Sequence, residues 1–278
     1  MNKAVTSFRV GDFEIGGGRL TLIAGPCMAE SLDLCRAVAS ALKPLCIELG
    51  VNFVFKASFD KANRTSARSE RGVGLEAGLE ILASVGHEFG VPLTTDVHLP
   101  DQARRVAEVV DLVQVPAFLC RQSDLLQACA ESGRPVNVKK GQFLAPWDAK
   151  NIVEKLDAYG ATGAMLTERG TSFGYNALVV DMPGLEVMRS FGVPVCFDAT
   201  HSAQQPGAAG GASGGNRAAI PALARAAVAV GVDALFMEIH PNPTKALSDA
   251  ATQWPLDQAG DLLRDLVAIW SVAKGSRV

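Results

Sequence analysis

The chain has 278 residues, of which 48% are hydrophobic and 20% are charged. That balance excludes a disordered or fibrous protein and leaves material for a large core. A formal net charge of −3 gives no global attraction to nucleic acid or to an acidic membrane surface, so any affinity for anions must come from a local cluster of side chains.

The opening segment, MNKAVTSFRVGDFEIGGG, has no apolar core of signal-peptide length. No apolar run reaches the roughly 18 residues that a membrane-spanning helix needs. A cytoplasmic protein without a membrane partner is therefore expected. Residues 7–15, broken by Val-Gly-Asp, predict a short β-hairpin that could cap the N-terminal end of the fold. From there, short β-branched apolar runs alternate with longer amphipathic stretches. The runs are TLIAGPC (21–27), NFVFKAS (52–58), VPLTTDV (91–97), LVQVPA (112–117), PVNVKK (135–140), GAMLTER (163–169), VPVCFDAT (193–200) and ALFMEIH (234–240). Their continuous apolar character predicts strands buried on both faces. Between the first two lies SLDLCRAVASALKPLCIELG, a helical pattern with Ser31 as N-cap and Gly50 as its stop. Another, IPALARAAVAVG, ends at Gly231.

Eight strand-then-helix units predict a (β/α)8 TIM barrel, a single catalytic domain over 1–278 with the hairpin at the barrel bottom. The alternative is a doubly wound open sheet. It is disfavoured because no GxGxxG follows the first strand and because the unit count matches a closed barrel. The stretch 206–216, within QPGAAGGASGGN, follows the seventh strand and reads as a mobile active-site loop. The six cysteines form no CxxC pair and read as reduced, buried thiols.

Catalytic groups of such a barrel sit at the C-terminal strand ends, and here those ends are polar. Lys56 and Ser58 close the second run and are followed by Lys61, Asn63 and Arg64, and the third gives Asp96 and then His98. Gln114 lies in the fourth, Asn137, Lys139 and Lys140 in the fifth, and Glu168 and Arg169 in the sixth, while the seventh gives Asp198 and His201 and the eighth Glu238 and His240. Lys56, Lys61, Arg64, Lys139 and Arg169 should converge on the mouth and bind phosphate or carboxylate. Strand alternation turns Lys140 away from Lys139. Structural salt bridges and a Schiff-base aldolase are the rival readings; so many cations in one mouth favour anion binding. A second group is Cys27, His201, Glu238 and Asp249, from strands one, seven and eight, which are neighbours in a closed barrel. Thiolate, imidazole and carboxylate suit zinc, iron(II) or manganese(II), although Cys27 taken alone reads as a packed core cysteine.

Several segments then carry a family pattern: IAGPC (23–27), FKASFDKANRTS (55–66), TTDVH (94–98), QVPAFLCRQ (114–122), NVKKGQF (137–143), TERGTSFGYNALVVDM (167–182), FDATHS (197–202) and MEIHPNPTKALSDAATQ (237–253). Together they resemble the 3-deoxy-D-manno-octulosonate 8-phosphate synthases over almost the whole chain. The KANR segment at 61–64 is similar to these rather than to the related 3-deoxy-heptulosonate 7-phosphate synthases, which use erythrose 4-phosphate.

The resemblance implies condensation of phosphoenolpyruvate with D-arabinose 5-phosphate and water, in lipopolysaccharide biosynthesis, by a homotetramer. It assigns Lys139, Arg169 and the Ala117 amide to the phosphate of phosphoenolpyruvate. Lys56, Ser58, Lys61 and Gln114 would surround its carboxylate, and Arg64 and Thr65 would meet the sugar phosphate. Asn63 and Asp96 would hold the aldehyde end. Thr65 stands where serine is usual. The family has metal-dependent and metal-independent branches, divided at the position of Cys27, where the second has asparagine. The resemblance therefore implies the metal-dependent branch, with Cys27, His201, Glu238 and Asp249 as ligands to Zn, Fe(II) or Mn, and with Co or Cd able to substitute.

Overall fold

In a computed structural model that describes residues 4–64, 66–208 and 214–275, eight parallel strands close into a barrel. They are β1 (Thr21–Gly25), β2 (Asn52–Lys56), β3 (Leu93–Asp96), β4 (Leu112–Val115), β5 (Val136–Lys139), β6 (Ala164–Glu168), β7 (Val195–Asp198) and β8 (Ala234–His240). Each pairs with the next, and β8 pairs with both β7 and β1. All eight predicted strands are present, trimmed by a few residues at most ends. The helices are α1 (Leu32–Glu48), α2 (Leu75–Phe89), α3 (Gln102–Ala107), α4 (Ser123–Glu131), α5 (Lys150–Ala158), α6 (Met182–Arg189), α7 (Ile220–Val230) and α8 (Ala259–Gly275).

Local sequence explains the boundaries. The Ser31 hydroxyl accepts from the Leu34 amide at 3.2 Å and caps α1. Beyond its end, Gly50 adopts a positive φ of 65°, and Gly231 does the same after α7 at 91°. Helix α1 buries Cys35, Val38, Ala39, Leu42 and Cys46, the three-and-four spacing of one face. Side chains on the outer face of the strands join those helix faces in one continuous core. All six cysteines are unpaired and buried, as expected.

The inner face is packed separately. At the N-terminal end of the barrel, Ile23, Val54, Leu112, Met165, Cys196 and Phe236 form a second cluster. The predicted hairpin, Phe8–Val10 paired with Phe13–Ile15, closes that end by adding Phe8, Val10 and Ile15 to the same cluster. Gly163 makes this possible, because a Cβ there would lie 2.5 Å from Cβ of Phe8. Burial of each such side chain contributes about 1.5–3 kcal/mol. With the bottom filled, the described residues leave the barrel open at the C-terminal strand ends.

Short pieces decorate that open end. Thr171–Ser172 pairs with Leu178–Val179, and Gln204–Gln205 pairs with Gly214–Gly215. The second pair brackets the glycine-rich stretch predicted to be a loop, of which 209–213 lie outside the described residues.

Candidate active site

A cavity of about 690 Å³ occupies the mouth, and Lys56, Lys61, Arg64, Lys139 and Arg169 all line it. Strand geometry places them there. Lys56 and Lys139 are the last residues of β2 and β5 and point inward, while Arg169 follows the last residue of β6. One position on from Lys139, Lys140 points away, as alternation requires. It is fully buried, donates to Leu144 O at 3.0 Å and to Thr171 Oγ1 at 3.1 Å, and lies 3.5 Å from Glu168 Oε2. Glu168 therefore belongs to a buried structural pair and not to the mouth.

Acidic groups face the cations. Lys139 Nζ lies 2.5 Å from Asp198 Oδ2, and 3.5 Å from the centre of the Phe236 ring. Lys56 Nζ donates to Ser58 Oγ at 2.8 Å and lies 3.4 Å from Glu238 Oε1 and 3.6 Å from Asp96 Oδ2. Lys61 Nζ sits 3.6 Å from the same Glu238 oxygen. Arg64 binds the loop after β8, donating to Ser248 Oγ at 2.9 Å and Leu247 O at 3.0 Å. Arg169 donates to Gln204 Oε1 at 2.5 Å, but its buried Nη1 has no hydrogen-bond partner among the described residues. A buried guanidinium nitrogen left open costs free energy unless a ligand satisfies it.

The pairing fixes protonation. Burial alone would raise the carboxyl of Asp96, but Lys56, Lys61 and Lys139 overcome this and hold it far below the usual range. For Asp198, burial is likewise outweighed by His201 and Lys139, so it stays ionised. Glu238 is pushed up by burial and pulled down by His201, Lys61, Lys56 and Lys139 to about 2. Burial lowers Arg169 from the ordinary guanidinium value, against the pull of Asp198 and Asp249.

Beside the cations lies the second predicted group. Ligand atoms of Cys27, Glu238 and Asp249 all fall within 4.8 Å of one another. Cys27 Sγ is 3.2 Å from Asp249 Oδ2. His201 Nε2 lies 3.5 Å from Glu238 Oε1 and 3.8 Å from Asp249 Oδ2, while its Nδ1 lies 2.7 Å from Asp198 Oδ2. A carboxylate behind the far ring nitrogen orients an imidazole for a ligand at the near one.

One observation fits these residues to a divalent cation: the buried Glu238 Oε2 has no hydrogen-bond partner among the described residues. Burial, and then Glu238 and Asp249, drive the Cys27 thiol well above its ordinary value. Asp249 is held at a φ of +50°.

The remaining expected residues divide. Asn63 lines the cavity, as do Asp96, His201, Asp249 and Ala117, which begins a short turn after β4. Ser58 and Gln114 do not line the cavity but hold Asp96 from both sides, at 2.5 and 2.7 Å. Thr65 lies outside the described residues. His240 turns away, with Nδ1 accepting from the Asn242 amide at 2.9 Å.

Two residues not named as site residues belong here. Asp198 is the shared partner of Lys139 and His201. Its place at a strand end was legible, its partners were not. Gln204 bridges Arg169 to Asp249, donating to Asp249 Oδ1 at 2.7 Å. No pattern marks it, since it lies past β7 in a two-residue strand piece paired with Gly214–Gly215.

Comparison with known proteins adds names to this geometry. Residues 4–273 match the DAHP synthetase I family. A 2-dehydro-3-deoxyphosphooctonate aldolase of Nitratidesulfovibrio vulgaris is 57% identical over 91% of this chain and 93% of its own length. A protein of the same name from Cyanothece sp. is 57% identical over 93% of this chain and 95% of its own. Another, from Syntrophotalea carbinolica, is 54% identical over 97% and 98%.

Proposed function

This chain belongs to the DAHP synthetase I family, and we infer that it is a 2-dehydro-3-deoxyphosphooctonate aldolase, or 3-deoxy-8-phosphooctulonate synthase. It condenses phosphoenolpyruvate with D-arabinose 5-phosphate and water, releasing inorganic phosphate. The observation that carries this reading is the set of cations converging from separate strands on one cavity, in a chain more than half identical to relatives so named.

Phosphoenolpyruvate brings a phosphate and a carboxylate. Lys139 and the open Nη1 of Arg169, with the Ala117 amide beside them, take the phosphate. Lys56 and Lys61 face the carboxylate, with Ser58 and Gln114 beside them. The sugar phosphate lies outward at Arg64, with Thr65 next to it in sequence. Asn63 and Asp96 hold the aldehyde end.

The new carbon–carbon bond joins C3 of phosphoenolpyruvate to C1 of the aldose, and the aldehyde oxygen takes up a proton. Water adds to C2, and the resulting phosphohemiketal expels phosphate. Lys139 and Arg169 stabilise the charge that gathers on the leaving phosphate. His201 is held by Asp198 where it can move a proton beside Glu238.

Cys27, His201, Glu238 and Asp249 would hold a divalent ion: Zn, Fe(II) or Mn, with Co or Cd as substitutes. When bound it supplies Lewis acidity that orients and polarises the aldehyde. The donor chemistry and the open Glu238 oxygen support this. A cytoplasmic homotetramer serving lipopolysaccharide synthesis completes the reading. No helix among the described residues is long and apolar enough to cross a membrane.

Phosphate release with arabinose 5-phosphate against erythrose 4-phosphate tests the assignment. A preference for erythrose 4-phosphate would transfer the chain to the heptulosonate activity of its family, and release with neither would leave a barrel that only binds phosphoenolpyruvate. Chelation should abolish activity and a divalent ion should restore it; full activity with no bound metal removes the ion from the reading.

A further inference from the structure

Beneath the cavity, side chains from successive strands join end to end. Thr167 Oγ1 of β6 donates to Asn137 Oδ1 of β5 at 2.6 Å. Asn137 Nδ2 donates to Gln114 Oε1 of β4 at 3.0 Å. Gln114 Nε2 donates to Asp96 Oδ1 of β3 at 2.7 Å. From the other side, Ser58 Oγ donates to Asp96 Oδ2 at 2.5 Å and accepts from Lys56 Nζ at 2.8 Å. Cys196 of β7 lies opposite Thr167 in register and extends the row. Register makes this possible, because Asp96 lies opposite Gln114 and Gln114 opposite Asn137.

The row has a direction. An ionised carboxylate only accepts, so Gln114 must offer its NH2 to Asp96. Its carbonyl then faces Asn137, which must offer its own NH2. The Asn137 carbonyl in turn requires a donor, and the Thr167 hydroxyl provides it. Thr167, Asn137 and Gln114 are wholly buried and none lines the cavity, whereas Asp96 does. A layer that served only to satisfy buried polar groups would have no need to end on a carboxylate in the mouth.

We propose that Asn137 and Thr167 are positioning residues for the reaction, holding the Asp96 carboxylate in the orientation that receives the aldose through Gln114. This rests on the placement of Asp96 at the aldehyde end of arabinose 5-phosphate given above. Neither residue touches substrate. Each acts through an amide that cannot flip without setting oxygen against oxygen at Asp96.

The test is a double-mutant cycle read in steady-state kinetics. Asn137→Leu should lower kcat/KM for arabinose 5-phosphate at least tenfold and leave the Kd of phosphoenolpyruvate, measured by calorimetry, within threefold. Thr167→Val, which keeps shape and removes only the donor, should act in the same direction by about threefold to tenfold. In an Asp96→Asn background both effects should shrink below twofold, because the residue they orient has already been replaced. Equal effects in both backgrounds overturn the relay alone. Thr167→Val indistinguishable from the parent overturns it as well, including the case in which Asn137→Leu does not fold. Unchanged kcat/KM in Asp96→Asn itself removes Asp96 from the aldehyde site and overturns the placement and the relay together.

Discussion

Two adjacent lysines, Lys139 and Lys140, should fail in opposite ways. Lys140→Met removes a cation that is 0% exposed and leaves Glu168, itself 1% exposed, without its counter-charge. Glu168 keeps only the amides of Arg169 and Gly170, at 2.9 and 2.6 Å. Burial already raises its carboxyl with Lys140 present, so the loss falls on an unpaired buried group. Breaking such a pair costs about 3–5 kcal/mol. At about 2–4 °C per kcal/mol for a chain of this size, the melting midpoint should fall by roughly 10 °C. Thermal melts and urea titrations measure it. Replacing both residues, Lys140→Met with Glu168→Leu, should recover much of the loss, because no charge then remains buried. Activity should separate the neighbours: Lys140→Met keeps kcat/KM within about tenfold at a temperature where it is folded, whereas Lys139→Met loses about 100-fold or more. A Lys140→Met protein that melts within 2 °C of the parent, or that is folded and as inactive as Lys139→Met, would refute this division of roles.

Three further outcomes follow from the same packing. Phe8→Ala should cost about 3–5 kcal/mol in urea unfolding yet leave kcat/KM within about threefold, because the plug sits at the end opposite the chemistry. Burial pushes the thiols of Cys35, Cys46 and Cys129 up to about 12, so at pH 8 only about one in ten thousand is ionised. Mass spectrometry should find these three unmodified by iodoacetamide in the folded protein and alkylated in urea; rapid modification of the folded form would contradict the burial. Gln204→Ala should weaken phosphoenolpyruvate and divalent-ion binding together, each by about threefold to tenfold, because it touches both Arg169 and Asp249; calorimetric titration of each ligand separately decides.

Much of this was legible before any coordinates. A strand buried on both faces has to be apolar almost throughout, so the eight runs stood out. Alternation alone separated Lys139 from Lys140. The glycine after α1 and the serine before it marked their own turns, because each has a local physical cause. What could not be read was set by register between strands. Asn137 and Gln114 lie side by side only because β4 and β5 pair as they do, and nothing in either segment states that pairing. Asp198 appeared at a strand end without its two partners. Ser58 and Gln114 also brace Asp96, a contact that linear spacing does not state. Gln204 had no local signature, because its role depends on two side chains distant in the chain.

The hairpin at the barrel bottom has a consequence for traffic. With Phe8, Val10 and Ile15 filling one end, two reactants must enter and two products leave through a single doorway. Lys139 and Arg169 lie at its back, at 6% and 5% exposure, while Arg64 stands at the sill beside Leu247, which is 52% exposed. A ligand bound at the back therefore passes the sill on its way in and again on its way out, and a hairpin at the far end of the barrel helps to set that route.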